Sequence, residues 1–177
     1  MNNYFIVPGL GNSGPDHWQT FFEKSGDNFT RIEQQGWDAP NCHEWIKNID
    51  DVVSKYDLST VILIGHSLGC ITIAHWAKQS GKEIKGALLV APSDIEFPSP
   101  SYIFTSSGFT PICLEKINFD TVVVASTNDP WVSMKRVELF AKSWGSTLIN
   151  IGDAGHINAA SGYGEWQEGL EILKKLG

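Results

Sequence analysis

The chain has 177 residues, of which 42% are hydrophobic and 19% are charged, as in an ordinary globular domain. Its formal net charge of −7 argues against binding nucleic acid through the phosphate backbone, because such binding needs clustered Lys and Arg side chains. No stretch has the apolar length of a transmembrane helix, and the first residues lack the features of a signal peptide. We therefore expect one cytoplasmic domain, residues 1–177, that does not bind membranes.

The cysteines give no sign of a disulfide framework or a zinc site. Cys42, Cys70 and Cys113 are odd in number and form no C-x-x-C pair, which fits a reducing compartment. A glycine-rich loop at 9–14 follows the first apolar segment and could serve a dinucleotide, but the acidic partner expected about twenty residues further on is ambiguous, with Glu33 the nearest candidate. We expect no metal and no organic cofactor.

Short apolar segments alternate with helical patterns along the chain. The segments with the β-branched and aliphatic character of strands are 4–7, 29–33, 60–64, 86–90, 121–125 and 147–151. The segments with helical spacing are 16–24, 42–56, 70–77, 132–144 and 166–176. This alternation predicts an α/β fold with a mostly parallel sheet of about six strands between two helical layers. Ligands of such sheets bind beyond the carboxyl ends of the strands.

The third apolar segment runs straight into Gly65-His66-Ser67-Leu68-Gly69, which has the pattern G-x-S-x-G. These letters alone are a weak signal in a chain with 17 glycines. However, a strand before the motif and a helix after it is the arrangement of a nucleophile elbow, a sharp turn that exposes the serine hydroxyl above the sheet. We therefore interpret Ser67 as a candidate nucleophile.

A serine nucleophile needs a histidine to accept its proton and a carboxylate to orient that histidine. Asp129 follows the fifth predicted strand and His156 the sixth, giving the chain order Ser, Asp, His of α/β-hydrolases. Asp94 after the fourth strand and Asp153 near His156 are alternative acids.

The remaining histidines and the oxyanion donors are placed by position alone. We expect a structural role for His66, inside the motif, and for His75, and we expect His17 to border the site. Backbone N–H groups should stabilise the negative charge that develops on an attacked carbonyl. We assign them to Leu68, after the nucleophile, and to Leu10, in the loop after the first strand.

Five segments of the chain resemble a known family. IVPGLGNSGPDHW, GHSLGC, LLVAPSD, VVVASTNDPW and GHINAASGYGEW are similar to the small α/β-hydrolases related to retinoblastoma-binding protein nine, a family of serine hydrolases. The resemblance implies a reduced hydrolase core with strand order 2-1-3-4-5-6, whose opening strand corresponds to the third strand of larger relatives. It also implies that Ser67, Asp129 and His156 match the family's triad. It does not imply a substrate.

The sequence thus favours a serine hydrolase that cleaves a small carboxylic ester or amide through an acyl-enzyme on Ser67. Acyl transfer to another acceptor would use the same residues. A protein-binding module on a hydrolase scaffold is the other alternative, with exposed Trp18, Trp37 or Trp131 as anchors, so a protein partner stays open.

The segment 98–111 is the longest part of the chain without a periodic pattern, and it carries several aromatic residues. Tyr102, Phe104 and Phe109 could line an apolar substrate pocket or pin the segment to the body of the protein. The sequence does not decide between these roles, nor whether the segment is a mobile lid.

Overall fold

The computed structural model describes residues 1–96 and 107–176. Its strands are β1 (Asn3–Val7), β2 (Phe29–Arg31), β3 (Val61–His66), β4 (Gly86–Val90), β5 (Asp120–Ala125) and β6 (Thr147–Asn150). They form one sheet in the order β2-β1-β3-β4-β5-β6, and all five pairings are parallel. The predicted strand order is confirmed.

Helices cover the sheet on both faces and lie between most consecutive strands, whereas the described residues between β4 and β5 form no helix. They are α1 (Trp18–Glu23), α2 (Cys42–Val53), α3 (Leu68–Ser80), α4 (Met134–Trp144) and α5 (Gln167–Lys174), with short 3-10 helices at Leu58–Thr60 and Ala159–Ser161. Side chains of each central strand alternate between two cores, as the two-residue period of a strand requires. In β3, for example, Leu63 belongs to the core that includes residues of α2, α3 and α4, whereas Ile64 belongs to the core that includes residues of α1 and α5. The predicted three-layer α/β/α fold is confirmed.

The turn around the G-x-S-x-G motif is tighter than the apolar pattern predicted. The pattern ended the third strand at residue 64 and began the helix at residue 70. In the structure β3 continues through Gly65 and His66, because these residues pair with Leu89 and Val90 of β4. Helix α3 then begins at Leu68, so one residue alone separates the strand from the helix.

Two expectations about aromatic residues have a clear outcome. Trp18 was expected to be exposed, and this is wrong: its side chain is fully buried and packs against Phe22 and Trp166 at ring-centroid distances of 5.0 and 5.3 Å. Phe109 is also fully buried, edge-on to Trp45 at 5.8 Å, so it pins its segment to the core. Tyr102 and Phe104 lie outside the described residues.

Within residues 1–96 and 107–176, no helix combines the length and apolar character needed to cross a bilayer.

The first turn of α3 packs directly on the end of β1, and Gly69 makes this approach possible. A Cβ atom added to Gly69 would lie 2.1 Å from the carbonyl oxygen of Val7 and 2.8 Å from that of Pro8. Both contacts are with backbone, which cannot move aside without breaking the pairing of β1 with its neighbours. Glycine at this position therefore lets the helix start above the sheet.

We predict that Gly69→Ala lowers the free energy of unfolding by about 3 kcal/mol or more, because the methyl group collides with backbone atoms that cannot move away. Gly14→Ala is the matched control, since a Cβ at Gly14 meets no atom within 4 Å, and it should change stability by less than about 0.5 kcal/mol. Urea denaturation of both variants measures the difference. Equal stability of the two would contradict the steric explanation.

Candidate active site

Ser67 occupies the turn between β3 and α3 in a strained backbone conformation. Its φ is 54° and its ψ is −121°, a region that residues other than glycine rarely adopt. Its N–H donates to the carbonyl of Val90 at 3.0 Å, and its own carbonyl accepts from Cys70 N–H at 3.1 Å. The hydroxyl is thus held at the carboxyl end of the central strand, at the positive end of α3.

The structure brings the three predicted side chains together. Ser67 Oγ lies 2.9 Å from His156 Nε2, and His156 Nδ1 lies 2.9 and 3.0 Å from the two carboxylate oxygens of Asp129. All three side chains are buried. A carboxylate can only accept, so Nδ1–H donates to Asp129 and the lone pair of Nε2 faces the serine hydroxyl. This geometry allows a proton to pass from the hydroxyl to the imidazole.

Hydrogen bonds between the loops that carry Asp129 and His156 fix their relative position. Asn128 Oδ1 accepts from the N–H of Gly155 at 2.7 Å, and Ser126 Oγ accepts from the N–H of Ala154 at 2.9 Å. Sequence reasoning missed both residues. The run of polar residues directly before Asp129 was the signal that could have indicated them.

The two predicted oxyanion donors lie on adjoining backbone. Leu68 N–H is the first of α3, and the first N–H groups of a helix have no acceptor within it. Leu10 follows Gly9, where an added Cβ would be 2.9 Å from Ser67 Cβ and 3.1 Å from Leu68 N. Within the described parts of the chain, Leu10 N–H has no hydrogen-bond acceptor, whereas the neighbouring N–H of Gly11 donates to Trp37. The backbone before Leu10 therefore lies directly against Ser67 and Leu68, and the oxyanion role of the two N–H groups stays a prediction.

The alternative acids lie elsewhere. Asp94 makes two hydrogen bonds of 2.8 and 3.0 Å to the guanidinium of Arg136, so its carboxylate is occupied by a different partner. Asp153 is exposed to solvent. Among the described carboxylates, Asp129 alone is bonded to the His156 ring.

Three histidine rings stand in a row that ends at His156. The ring of His66 lies 4.9 Å from that of His156 and 4.7 Å from that of His17, between centroids. His66 Nε2–H donates to the carbonyl of His156 at 2.9 Å, and His17 Nδ1 accepts from the N–H of Gln19 at 3.1 Å. His17 therefore borders the site as expected, one ring removed from it.

Burial keeps His17 and His66 uncharged. Desolvation, with smaller effects of Arg31 and His156, lowers the pKa of His17 to about 4. Desolvation followed by the proximity of His156 and His17 lowers the pKa of His66 well below its ordinary value. His66, beside His156, and His17, one ring further away, are thus uncharged at neutral pH.

Burial keeps the thiols of Cys42 and Cys70 protonated. Burial raises the pKa of the Cys70 thiol well above its usual range and that of Cys42 to about 12. Both therefore stay protonated at neutral pH, and the thiol is a poor nucleophile. Over the ranges that the structure describes, no group of three or more His, Cys, Asp or Glu side chains is arranged to hold a metal ion.

The depressed pKa of His17 predicts a loss of stability in acid. As the pH falls from 6.5 towards 4, the unfolded chain binds a proton that the folded protein does not, so unfolding becomes easier. A shift from 6.5 to about 4 corresponds to about 2 kcal/mol at pH 5. In His17→Asn the side chain keeps an acceptor for the Gln19 N–H but does not titrate. Urea denaturation at pH 7.5 and 5.0 should show that wild type loses about 2 kcal/mol more than this variant; equal losses would exclude His17 as the source.

Solved structures share this fold over nearly the whole chain. A protein described as a YdeN-like hydrolase from Pectobacterium atrosepticum is 33% identical, with a TM-score of 0.86 over 99% of this chain and 90% of that one. The ydeN gene product from B. subtilis is 16% identical, with a TM-score of 0.81 over 99% and 98% of the two chains. Est1E from Butyrivibrio proteoclasticus, solved with ferulic acid bound, is 14% identical, with a TM-score of 0.70 over 99% and 89%. The last two show the fold alone.

A search of curated proteins gave no significant match, and the relation to retinoblastoma-binding protein nine stays a prediction. The chain does match the family described as serine hydrolase over residues 4–175. This match includes all of the fold's strands and helices except Asn3, the first residue of β1. The chain belongs to the serine hydrolase family and is a small serine hydrolase of the α/β-hydrolase type.

Proposed function

We propose that the protein cleaves a small carboxylic ester or amide through an acyl-enzyme formed on Ser67. The observation that carries the proposal is the unbroken hydrogen-bonded chain from Ser67 Oγ through the His156 ring to the Asp129 carboxylate, with distances of 2.9 Å at both nitrogens. Such a chain activates a hydroxyl that is otherwise a poor nucleophile.

In the acylation half, Ser67 Oγ attacks the carbonyl carbon while His156 Nε2 takes the hydroxyl proton. Asp129 holds the imidazole in the tautomer that leaves Nε2 free and stabilises the imidazolium that forms. The N–H groups of Leu68 and Leu10 donate hydrogen bonds to the oxyanion that forms. His156 then gives the proton to the leaving oxygen or nitrogen as its bond to the acyl carbon breaks.

In the second half, water replaces the leaving group. His156 takes a proton from the water as its oxygen attacks the acyl carbon, and the bond from that carbon to Ser67 Oγ then breaks. The proton on the imidazole returns to the serine, which restores the starting state. An alcohol in place of water would give acyl transfer with the same residues, and product analysis with competing alcohols separates the two reactions.

The described elements support a small substrate. In residues 1–96 and 107–176 the six strands and five α-helices belong to the sheet and its two covering layers, so none of these elements forms a separate cap over the site. A deep pocket that buries a long lipid needs more covering structure than that. The substrate that we propose is therefore an ester or amide with a small or partly exposed acyl group.

We expect a fluorophosphonate probe to label the wild type and not Ser67→Ala, because the probe bonds to the activated serine oxygen. Asp129→Asn should lower kcat for p-nitrophenyl acetate by about 10⁴-fold, since the amide no longer fixes the required His156 tautomer. Labelling is followed by intact-protein mass spectrometry and kcat by nitrophenolate release.

Asp153→Asn is the matched control for Asp129→Asn. It makes the same chemical change three residues before His156, but at an exposed side chain that is not bonded to the ring. Its kcat should equal that of the wild type within about twofold. Labelling of Ser67→Ala as strong as that of the wild type, or equal losses in the two Asp variants, would overturn the proposed mechanism.

A further inference from the structure

We propose that His66 and Trp18 are positioning residues that together fix the backbone at His156 and Ile157 and so aim the His156 imidazole at Ser67. His66 Nε2–H donates to the carbonyl of His156 at 2.9 Å, and Trp18 Nε1–H donates to the carbonyl of Ile157 at 2.8 Å. The inference rests on the proposed function, because it assigns these residues a part in the same reaction.

The two donors come from rigid parts of the fold. His66 is the last residue of β3 and pairs with Val90 in the sheet, and Trp18 opens α1. Both side chains are buried, and their rings contact each other edge to face at 5.9 Å between centroids. Hydrogen bonds from ring N–H groups in such surroundings have little freedom in length or direction.

The backbone that they hold is strained. Ile157 has a φ of 46°, a conformation that is a clear outlier for a β-branched residue. Such residues persist only where the surroundings enforce them, and they cluster at functional sites. The two carbonyls belong to the peptide groups immediately before and after the Ile157 Cα, so the two hydrogen bonds restrain both of its backbone dihedrals.

This restraint bears directly on the reaction. The imidazole of His156 must face Ser67 on one side and Asp129 on the other, and a rotation of the adjoining peptide would carry the ring away from one of them. A displacement of about 1 Å at a reacting group can cost about 100-fold in rate. Among the described residues, the ring nitrogens of His156 bond to Asp129 and Ser67 and not to His66 or Trp18. We therefore assign His66 and Trp18 an effect on the position of His156 and no part in the proton transfer.

Four variants test the inference with p-nitrophenyl acetate as the substrate. His66→Met removes the donor, His66→Gln restores an N–H at a similar distance from the backbone, and Trp18→Phe removes the indole N–H but keeps an aromatic ring. His75→Met is the matched control, because His75 Nε2–H also donates to a backbone carbonyl, that of Phe109 at 3.0 Å, away from the triad.

We expect His66→Met and Trp18→Phe each to lower kcat by about 10- to 100-fold, with KM changed by less than about threefold. His66→Gln should recover most of the lost kcat, and His75→Met should keep the wild-type kcat even where its Tm falls as far as that of His66→Met. If His66→Met and Trp18→Phe both turn over as fast as His75→Met, the inference is wrong. If His66→Met fails to fold, the comparison of kcat between Trp18→Phe and His75→Met decides whether the inference holds.

A measurement without substrate separates this inference from the proposed function. Long-range ¹H–¹⁵N spectra of histidine-labelled protein report which ring nitrogen of His156 carries the proton. We expect a single Nδ1–H tautomer in the wild type and a mixture in the doubly substituted His66→Met/Trp18→Phe protein. A wild type that fluorophosphonate does not label would refute the proposed function whatever the spectra show. If the wild type is labelled, and the double variant has the same spectra and the same kcat as the wild type, the positioning role alone is refuted.

Discussion

Ser67 holds a backbone conformation that an L-amino acid adopts only under restraint, with φ at 54°. Three neighbours supply the restraint. The sheet fixes its N–H through Val90. The carbonyls of Val7 and Pro8 lie against Gly69 in the first turn of α3, and Gly9 lies against the Ser67 Cβ. The two glycines have no Cβ, and any larger residue would push the elbow away from β1. The position of the nucleophile is thus set by the packing of three backbone segments on one another.

The electrostatics of the site follow from burial more than from the charge of the chain. The formal charge is −7, yet His156 is bonded to one carboxylate, that of Asp129, which is itself buried. His66 and His17 stay neutral because they are desolvated. In a site of low effective dielectric, a charged ring at the distance of His66 would strongly disfavour an imidazolium at His156. The rings of His66 and His17 therefore add packing beside the triad, and His66 adds a hydrogen-bond donor, without adding a competing charge.

Much of this arrangement could be predicted from the sequence, for a geometric reason. The carboxyl ends of parallel strands meet at one edge of the sheet, so polar residues that directly follow apolar segments must approach each other there. Ser67, Asp129 and His156 each follow such a segment, and the structure brings the three side chains together. The strand order and the two helical layers follow from the same alternation of segments.

What could not be predicted depends on how loops fold against each other. Ser126 and Asn128 bond to backbone N–H groups near residue 155, and no periodic pattern reports such contacts. Trp18 was wrongly expected to be exposed, because α1 has only six residues and buries four of them, Trp18, Gln19, Thr20 and Phe22. A helix that short and that deeply buried has no polar face from which its orientation could be deduced.

The buried indole of Trp18 also explains why segments from opposite ends of the chain belong to one site. Its N–H reaches the carbonyl of Ile157, 139 residues away in sequence, and its backbone N–H donates to the carbonyl of Tyr163 at 3.1 Å. The segment that leads into Trp18 is the loop that carries Leu10. One short helix therefore ties the proposed second oxyanion donor to the loop of the proposed base. The donor and the base must act on the same carbonyl group, and this direct connection between their loops helps to fix the distance between them.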